Sequence, residues 1–173
     1  MAQADTHDWP AGTHHHALNW SAALWSSVIA GLVFAALEMV LVKVVDGNSP
    51  WMPLHLIGAI GLGPDALSPA NNFDVKIVST AVVIHMVLAI VYGLILALII
   101  ERMDIAWAIV VGAIYGLALY YINFYGFTKA FPWFADARGG VSIFTHMVQS
   151  GLMAWIYKAL DRSLPASSSV PSA

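Results

Sequence analysis

The chain has 173 residues, of which 60% are hydrophobic and 10% are charged, whereas soluble domains carry about 25% charged residues. This composition predicts an all-α protein that crosses a membrane several times, and it excludes an ordinary soluble domain. The formal charge of −3 leaves no basic surface for nucleic acid, and the lack of cysteine excludes disulfides and thiolate chemistry.

Residues 1–19 are polar and contain Pro10 and Gly12, which predicts a flexible N-terminal tail. The run His14-His15-His16 in this tail could bind a metal loosely. Three adjacent side chains cannot all face one ion on a regular helix, however, so a solvated tail is favoured. A first span is predicted at about 21–45, and it contains Glu38.

The connection after this span contains an apolar piece, residues 54–60, that is too short to cross a bilayer. Pro50 and Pro53 precede it, and Gly61 and Pro64 follow it and return the chain to water. We expect a short interfacial or re-entrant segment here.

Two further spans are predicted at about 75–101 and 105–128, and the short turn between them makes them antiparallel neighbours. His85 is the only side chain of the second span that titrates near neutral pH, and it lies about 12 Å from the Lys76 end. Small residues recur at helical spacing, which predicts close helix packing. The packing glycines are Gly31, Gly93, Gly112 and Gly116.

A fourth span is predicted at about 141–160, and the Ser-, Pro- and Ala-rich residues 163–173 are expected to be disordered. Residues 20–162 would then form a single domain, a four-helix transmembrane bundle. His85-Met86-Val87 in the second span matches His146-Met147-Val148 in the fourth. The bundle could therefore be built from two repeated helix pairs.

The buried polar residues of all four spans are predicted to fall in one leaflet. Counted from the side of the two long connections, each lies about 6 to 12 Å deep at 1.5 Å per residue. Their helical faces point into the bundle, because two of these faces also carry the packing glycines. The predicted polar cluster consists of Glu38, His85, Asn123, His146 and Gln149.

This cluster favours proton- or small-ion-linked transport or sensing, since it combines ionisable side chains with access from one side. A lone Glu inside hydrocarbon must be protonated or paired, so we expect Glu38 to share a proton with His85 or His146. The alternative is a non-catalytic accessory or structural subunit of a larger membrane complex, in which the cluster only fixes helix register. The expected partners are a second copy of the chain, in a homo-oligomer, or a larger membrane complex.

A metal site is a further alternative, since Glu38, His85 and His146 are a ligand set suited to a zinc- or iron-like ion. Haem is disfavoured, because the two histidines differ in depth by about 5 Å. No nucleophile triad, H-E-x-x-H motif or glycine-rich phosphate loop is present. We therefore expect neither an enzyme nor an organic cofactor.

Several short motifs between residues 77 and 160 occur in a fixed order. They are Ile84-His85, Tyr92-Gly93, Trp107, the Gly112/Gly116 helix, Pro132-Trp133-Phe134 and Ser142-Ile143-Phe144-Thr145-His146-Met147. This order resembles the YagU-like bacterial inner-membrane proteins, a family without an established activity. The family has Pro-Pro-Arg after its first helix, where this chain has no arginine. The resemblance implies a multi-pass protein of the bacterial inner membrane, with the lipid bilayer as its surroundings.

Overall fold

The computed structural model describes residues 18–69 and 71–163, and within these ranges the chain forms helices and turns without strands. The predicted all-α class is therefore confirmed. The His14-His15-His16 run and nearly all of both predicted tails lie outside the described residues. The five α-helices are α1 Trp20–Val44, α2 Met52–Leu62, α3 Val75–Ile100, α4 Ile105–Tyr121 and α5 Gly140–Ser163.

Three helical stretches are long and apolar enough to cross a membrane. They are α1, α3, and α4 together with its continuation as far as Lys129. Asn19, Asp74 and Asp104 cap the starts of these three helices with side-chain oxygens. The fourth predicted span corresponds to α5, which has 24 residues but is less apolar than the other three.

The long helices pack through small side chains. A core of buried residues lies where α1 and α4 begin and where α3 and α5 end, and alanines dominate it, among them Ala23, Ala30 and Ala154. Small residues allow helix backbones to approach closely, which is the main source of attraction between helices in lipid. α5 packs closely on α4 and α1, and α3 packs on α1. The repeat of two helix pairs remains a prediction. The two helices α3 and α4 contact each other little.

The short apolar segment forms α2, which packs along α3. His55 on α2 is fully buried and holds the following connection, with Nδ1 2.7 Å from the Ala66 carbonyl oxygen and Nε2 3.0 Å from that of Asn72. The indole of Trp133 donates to the Leu56 carbonyl and so joins the two long connections. Whether α2 lies at the membrane interface or dips into it remains a prediction.

The third predicted span changes its geometry near its end. A π-helical turn, Ile122–Gly126, follows α4, and a 3-10 turn, Phe127–Lys129, follows that. Arg138 Nε donates to the Phe124 carbonyl at 2.8 Å, so a side chain satisfies a backbone acceptor in the wider turn. A π turn inserts one residue into the helical repeat and therefore changes the direction in which later side chains point.

The four packing glycines lie at helix contacts. A Cβ atom on Gly112 would lie 2.6 Å from the Ser150 carbonyl oxygen, and one on Gly116 would overlap the His146 carbonyl. On the α1–α3 side, a Cβ on Gly31 would meet Ala89 and Met86 at 3.0 Å, and one on Gly93 would overlap the Ser27 side chain. The contact between α4 and α5 is therefore backbone against backbone at two successive turns.

We predict that Gly116→Ala lowers the free energy of unfolding by about 1–3 kcal/mol, because the new methyl group meets a backbone carbonyl that cannot rotate away. The matched control is Gly126→Ala, where a Cβ would have nothing within 4 Å and φ is −71°. Thermal unfolding of both variants in the same detergent measures the difference. Equal midpoints for the two would contradict the close α4–α5 packing.

Candidate functional site

A cavity of about 390 Å³ lies among the five α-helices and the π turn. All five residues of the predicted polar cluster line it, namely Glu38, His85, Asn123, His146 and Gln149. It reaches the side of the two long connections, where Asp46, Asp136 and Arg138 also line it. The structure therefore brings the cluster to one cavity with polar residues at its mouth.

Two hydroxyl groups on α5 hold the Glu38 carboxyl group, which is only 7% exposed. Oε1 accepts from Ser142 Oγ at 3.0 Å, and Oε2 accepts from Thr145 Oγ1 at 2.5 Å. Among the described residues no Lys, Arg or His nitrogen forms a salt bridge with this carboxyl group. The expected Glu38–histidine pair is therefore wrong, because hydroxyls from the facing helix already occupy both oxygens.

Both hydroxyls have a second acceptor. Ser142 Oγ also lies 2.9 Å from the Ala137 carbonyl oxygen, and Thr145 Oγ1 lies 3.0 Å from that of Val141. Each hydroxyl has one hydrogen, so it can donate either to Glu38 or to the backbone. When Glu38 is ionised both can donate to it, and when Glu38 is protonated it can donate to a hydroxyl that turns to its carbonyl. The site thus accommodates both protonation states by rotating hydroxyl hydrogens.

His146 continues a chain of oriented hydrogen bonds. Its Nδ1 donates to the Ser142 carbonyl at 2.7 Å, so in the neutral ring Nε2 is an acceptor. The Asn123 amide donates to that Nε2 at 3.4 Å, and the Asn123 oxygen accepts from Tyr92 at 3.2 Å. The hydrogen bonds therefore run from Tyr92 on α3 through Asn123 in the π turn to His146 on α5, and each residue donates to the next.

His85 is bound to α1. Its Nε2 donates to the Gly31 carbonyl at 2.9 Å, and its ring stacks on Phe34 with centroids 5.2 Å apart. The same Phe34 ring meets His146 edge-on at 5.0 Å. One aromatic side chain thus contacts both imidazoles.

The suggested metal set was Glu38, His85 and His146. Within residues 18–69 and 71–163 no group of three His, Asp or Glu side chains could hold a metal ion. One nitrogen of each imidazole donates to a backbone carbonyl, and the carboxyl group faces hydroxyls. The geometry therefore directs these three side chains to other partners.

Sequence reasoning did not include Ser142 and Thr145 in the site. A signal was present, since Ser142 lies four residues before His146 and seven before Gln149, on the same helical face. Ser and Thr hydroxyls are common in membrane-spanning helices, so by themselves they do not indicate a polar site.

Comparisons of the chain with protein-family models, curated proteins and solved structures find no match. The class that the structure defines is a helical protein with three helices able to cross a membrane. The resemblance to YagU-like proteins remains a prediction.

We predict that Thr145→Val, which keeps the side-chain shape and removes one hydroxyl donor to Glu38, lowers the free energy of unfolding by about 1–3 kcal/mol. Thr80→Val is the matched control, because Thr80 is half-buried on α3 and its hydroxyl has no described hydrogen bond. Denaturation at one fixed pH compares the two. A Thr145→Val variant as stable as Thr80→Val would contradict the hydroxyl pairing of Glu38.

Proposed function

We propose that this protein crosses the bacterial inner membrane four times and that its cavity serves proton- or small-ion-linked transport or sensing, with Glu38 as the exchanging group. The observation that carries the proposal is the pair of hydroxyls that can serve either protonation state of Glu38. A group that must gain and lose a proton inside a membrane needs such partners, because lipid offers none.

The four-span count is supported by where α5 places its polar residues. Its 24 residues make a helix about 36 Å long, enough to cross the hydrocarbon core. The polar side chains of its first half are buried in the bundle, whereas Phe144 and Trp155 are 52% and 49% exposed. The buried residues are Ser142, Thr145, His146, Gln149 and Ser150. The low hydropathy of α5 therefore comes in part from its inward face, and the charged residues Lys158, Asp161 and Arg162 at its end contribute the rest.

Access from one side also supports this function. The cavity reaches the connections at Asp46 and Asp136, and its deep end lies at Met153. Beyond that end the alanine-rich core closes the bundle. Glu38 is therefore positioned to exchange protons with one aqueous face, which is sufficient for a sensor. Transport would require a second state in which that core opens.

The second candidate is a non-catalytic accessory subunit in which the cluster only fixes helix register. It is favoured by the hydrogen bonds within the chain that satisfy Glu38, Asn123 and His146. Removing proton exchange while keeping those hydrogen bonds separates the two candidates.

The four-span proposal can be tested with single cysteines, since the chain has none of its own. We expect Asn48→Cys and Gly139→Cys to react with a membrane-impermeant maleimide from one side of sealed vesicles. Arg102→Cys and Ala159→Cys should react only from the other side. If Ala159→Cys reacts together with Gly139→Cys, α5 does not cross and the span count is three.

The functional proposal predicts that Glu38→Gln lowers the pH-driven flux in proteoliposomes by at least about tenfold. If the protein is a sensor, its pH-dependent fluorescence change should fall by the same factor. The amide copies the protonated acid, accepting from Ser142 and donating to Thr145, so the variant should fold with little loss of stability. Glu101→Gln in the turn after α3 is the control and should behave as the wild type. Equal pH responses in wild type and Glu38→Gln would favour the accessory-subunit candidate.

A further inference from the structure

Some buried polar side chains of the cavity have no hydrogen-bond partner among the described residues. Gln149 is 9% exposed and lines the cavity, and among the described residues its amide makes no hydrogen bond. His85 also has one ring nitrogen without a described partner. Its Nε2 donates to the Gly31 carbonyl, whereas its Nδ1 is an acceptor in the neutral ring and has no described hydrogen bond. Both residues line the cavity, so these polar atoms are available to a molecule that enters it.

The polar groups lie at two levels of the cavity. Glu38 forms the level near the mouth, and the contact of His85 with Gly31 marks a level seven residues earlier on α1, about 10 Å deeper. Gln149 lies four residues beyond Thr145, the partner of Glu38, and is therefore about 6 Å deeper on α5. A single ion at Glu38 cannot reach the deeper groups, whereas an elongated molecule can.

The size and charge of the cavity define the occupant further. Its volume of about 390 Å³ falls within the range of about 300–1,000 Å³ typical of small-molecule pockets. Three acidic side chains, Glu38, Asp46 and Asp136, line it, against the single basic side chain Arg138. Arg138 is engaged by the Phe124 carbonyl and by the ring of Tyr125 at 4.0 Å. The electrostatics therefore favour a cation.

Aromatic and aliphatic side chains form most of the cavity lining. The aromatic residues that line the cavity are Phe34, Tyr92, Tyr115, Phe124, Phe127, Phe131 and Phe134. Aromatic faces attract cations and also bury an apolar body. They provide little for a hydrated metal ion, which prefers oxygen ligands on several sides.

We propose that the cavity binds a small organic cation, a primary amine with an apolar or aromatic body, whose ammonium group meets Glu38 and whose far end hydrogen-bonds to Gln149 and His85. This inference rests on the proposed function in using the same cavity and the same Glu38. It names the bound species: the amine takes the place of the proton on Glu38, so that one cation leaves as the other enters.

Tyramine is the probe, because its ammonium and hydroxyl groups lie at opposite ends of an aromatic body. Binding to the purified full chain is measured by titration calorimetry at fixed pH. Phenethylamine lacks the hydroxyl, and 3-(4-hydroxyphenyl)propionate replaces the ammonium with a carboxylate. We expect tyramine to bind at least about tenfold more tightly than phenethylamine, and the propionate not to bind.

Two variants locate the ends of the ligand. Glu38→Gln should weaken tyramine binding by at least about tenfold, whereas Glu101→Gln should leave it unchanged. Gln149→Met should remove most of the difference between tyramine and phenethylamine, because only tyramine can use the deep end. Equal binding of tyramine to wild type and Glu38→Gln, or of the propionate and tyramine to wild type, would overturn the inference.

The outcome also separates this inference from the proposed function. Binding of none of these compounds, together with a pH response that Glu38→Gln abolishes, would overturn the amine inference and leave proton or ion handling standing. Tyramine binding that depends on Glu38 and Gln149, without any pH-dependent flux or fluorescence change, would support the ligand and remove the proton-linked function.

Discussion

The hydrogen bonds from Ser142 and Thr145 to the Glu38 carboxyl group are the constraint on which the rest of the bundle depends. In hydrocarbon an unsatisfied carboxyl group costs several kcal/mol, so the chain must supply partners itself. Both partners lie on α5, and this fixes the rotation and the height of α5 against α1. Once they are fixed, His146 has to lie beside Phe34, and the two imidazoles are brought to one aromatic ring.

The close approach of α4 and α5 completes this arrangement. Gly116 lies under the His146 carbonyl, so the backbone of α5 rests directly on α4 and the imidazole extends toward the cavity. The π turn that follows α4 then carries Asn123 to within 3.4 Å of His146 Nε2. A larger residue at position 116 would push α5 away from α4 and lengthen the contact of His146 with Asn123. The packing glycines and the polar network therefore depend on each other.

Much of this architecture follows from simple properties of the sequence. The lengths of the apolar segments predict the long helices, and counting residues from their ends predicts that Glu38, His85, Asn123, His146 and Gln149 share one depth range. The partners of these residues are less predictable. Hydrogen bonds depend on rotations of a few tens of degrees about each helix axis, which residue counting does not resolve. For this reason the sequence predicts neither the π turn nor the hydroxyl groups that bond to Glu38.

The hydrogen bonding of Gln149 distinguishes a purely structural polar cluster from a binding site. A cluster that only fixes helix register gains nothing from an unpaired group, since each unsatisfied buried polar atom costs about 1–3 kcal/mol. Glu38, Asn123 and His146 have hydrogen-bond partners within the chain, whereas the Gln149 amide has none among the described residues. The Gln149 amide is instead open to the cavity, whose lining is largely apolar. We propose the cavity as a binding site for this reason, because a molecule that enters it can form hydrogen bonds with this amide.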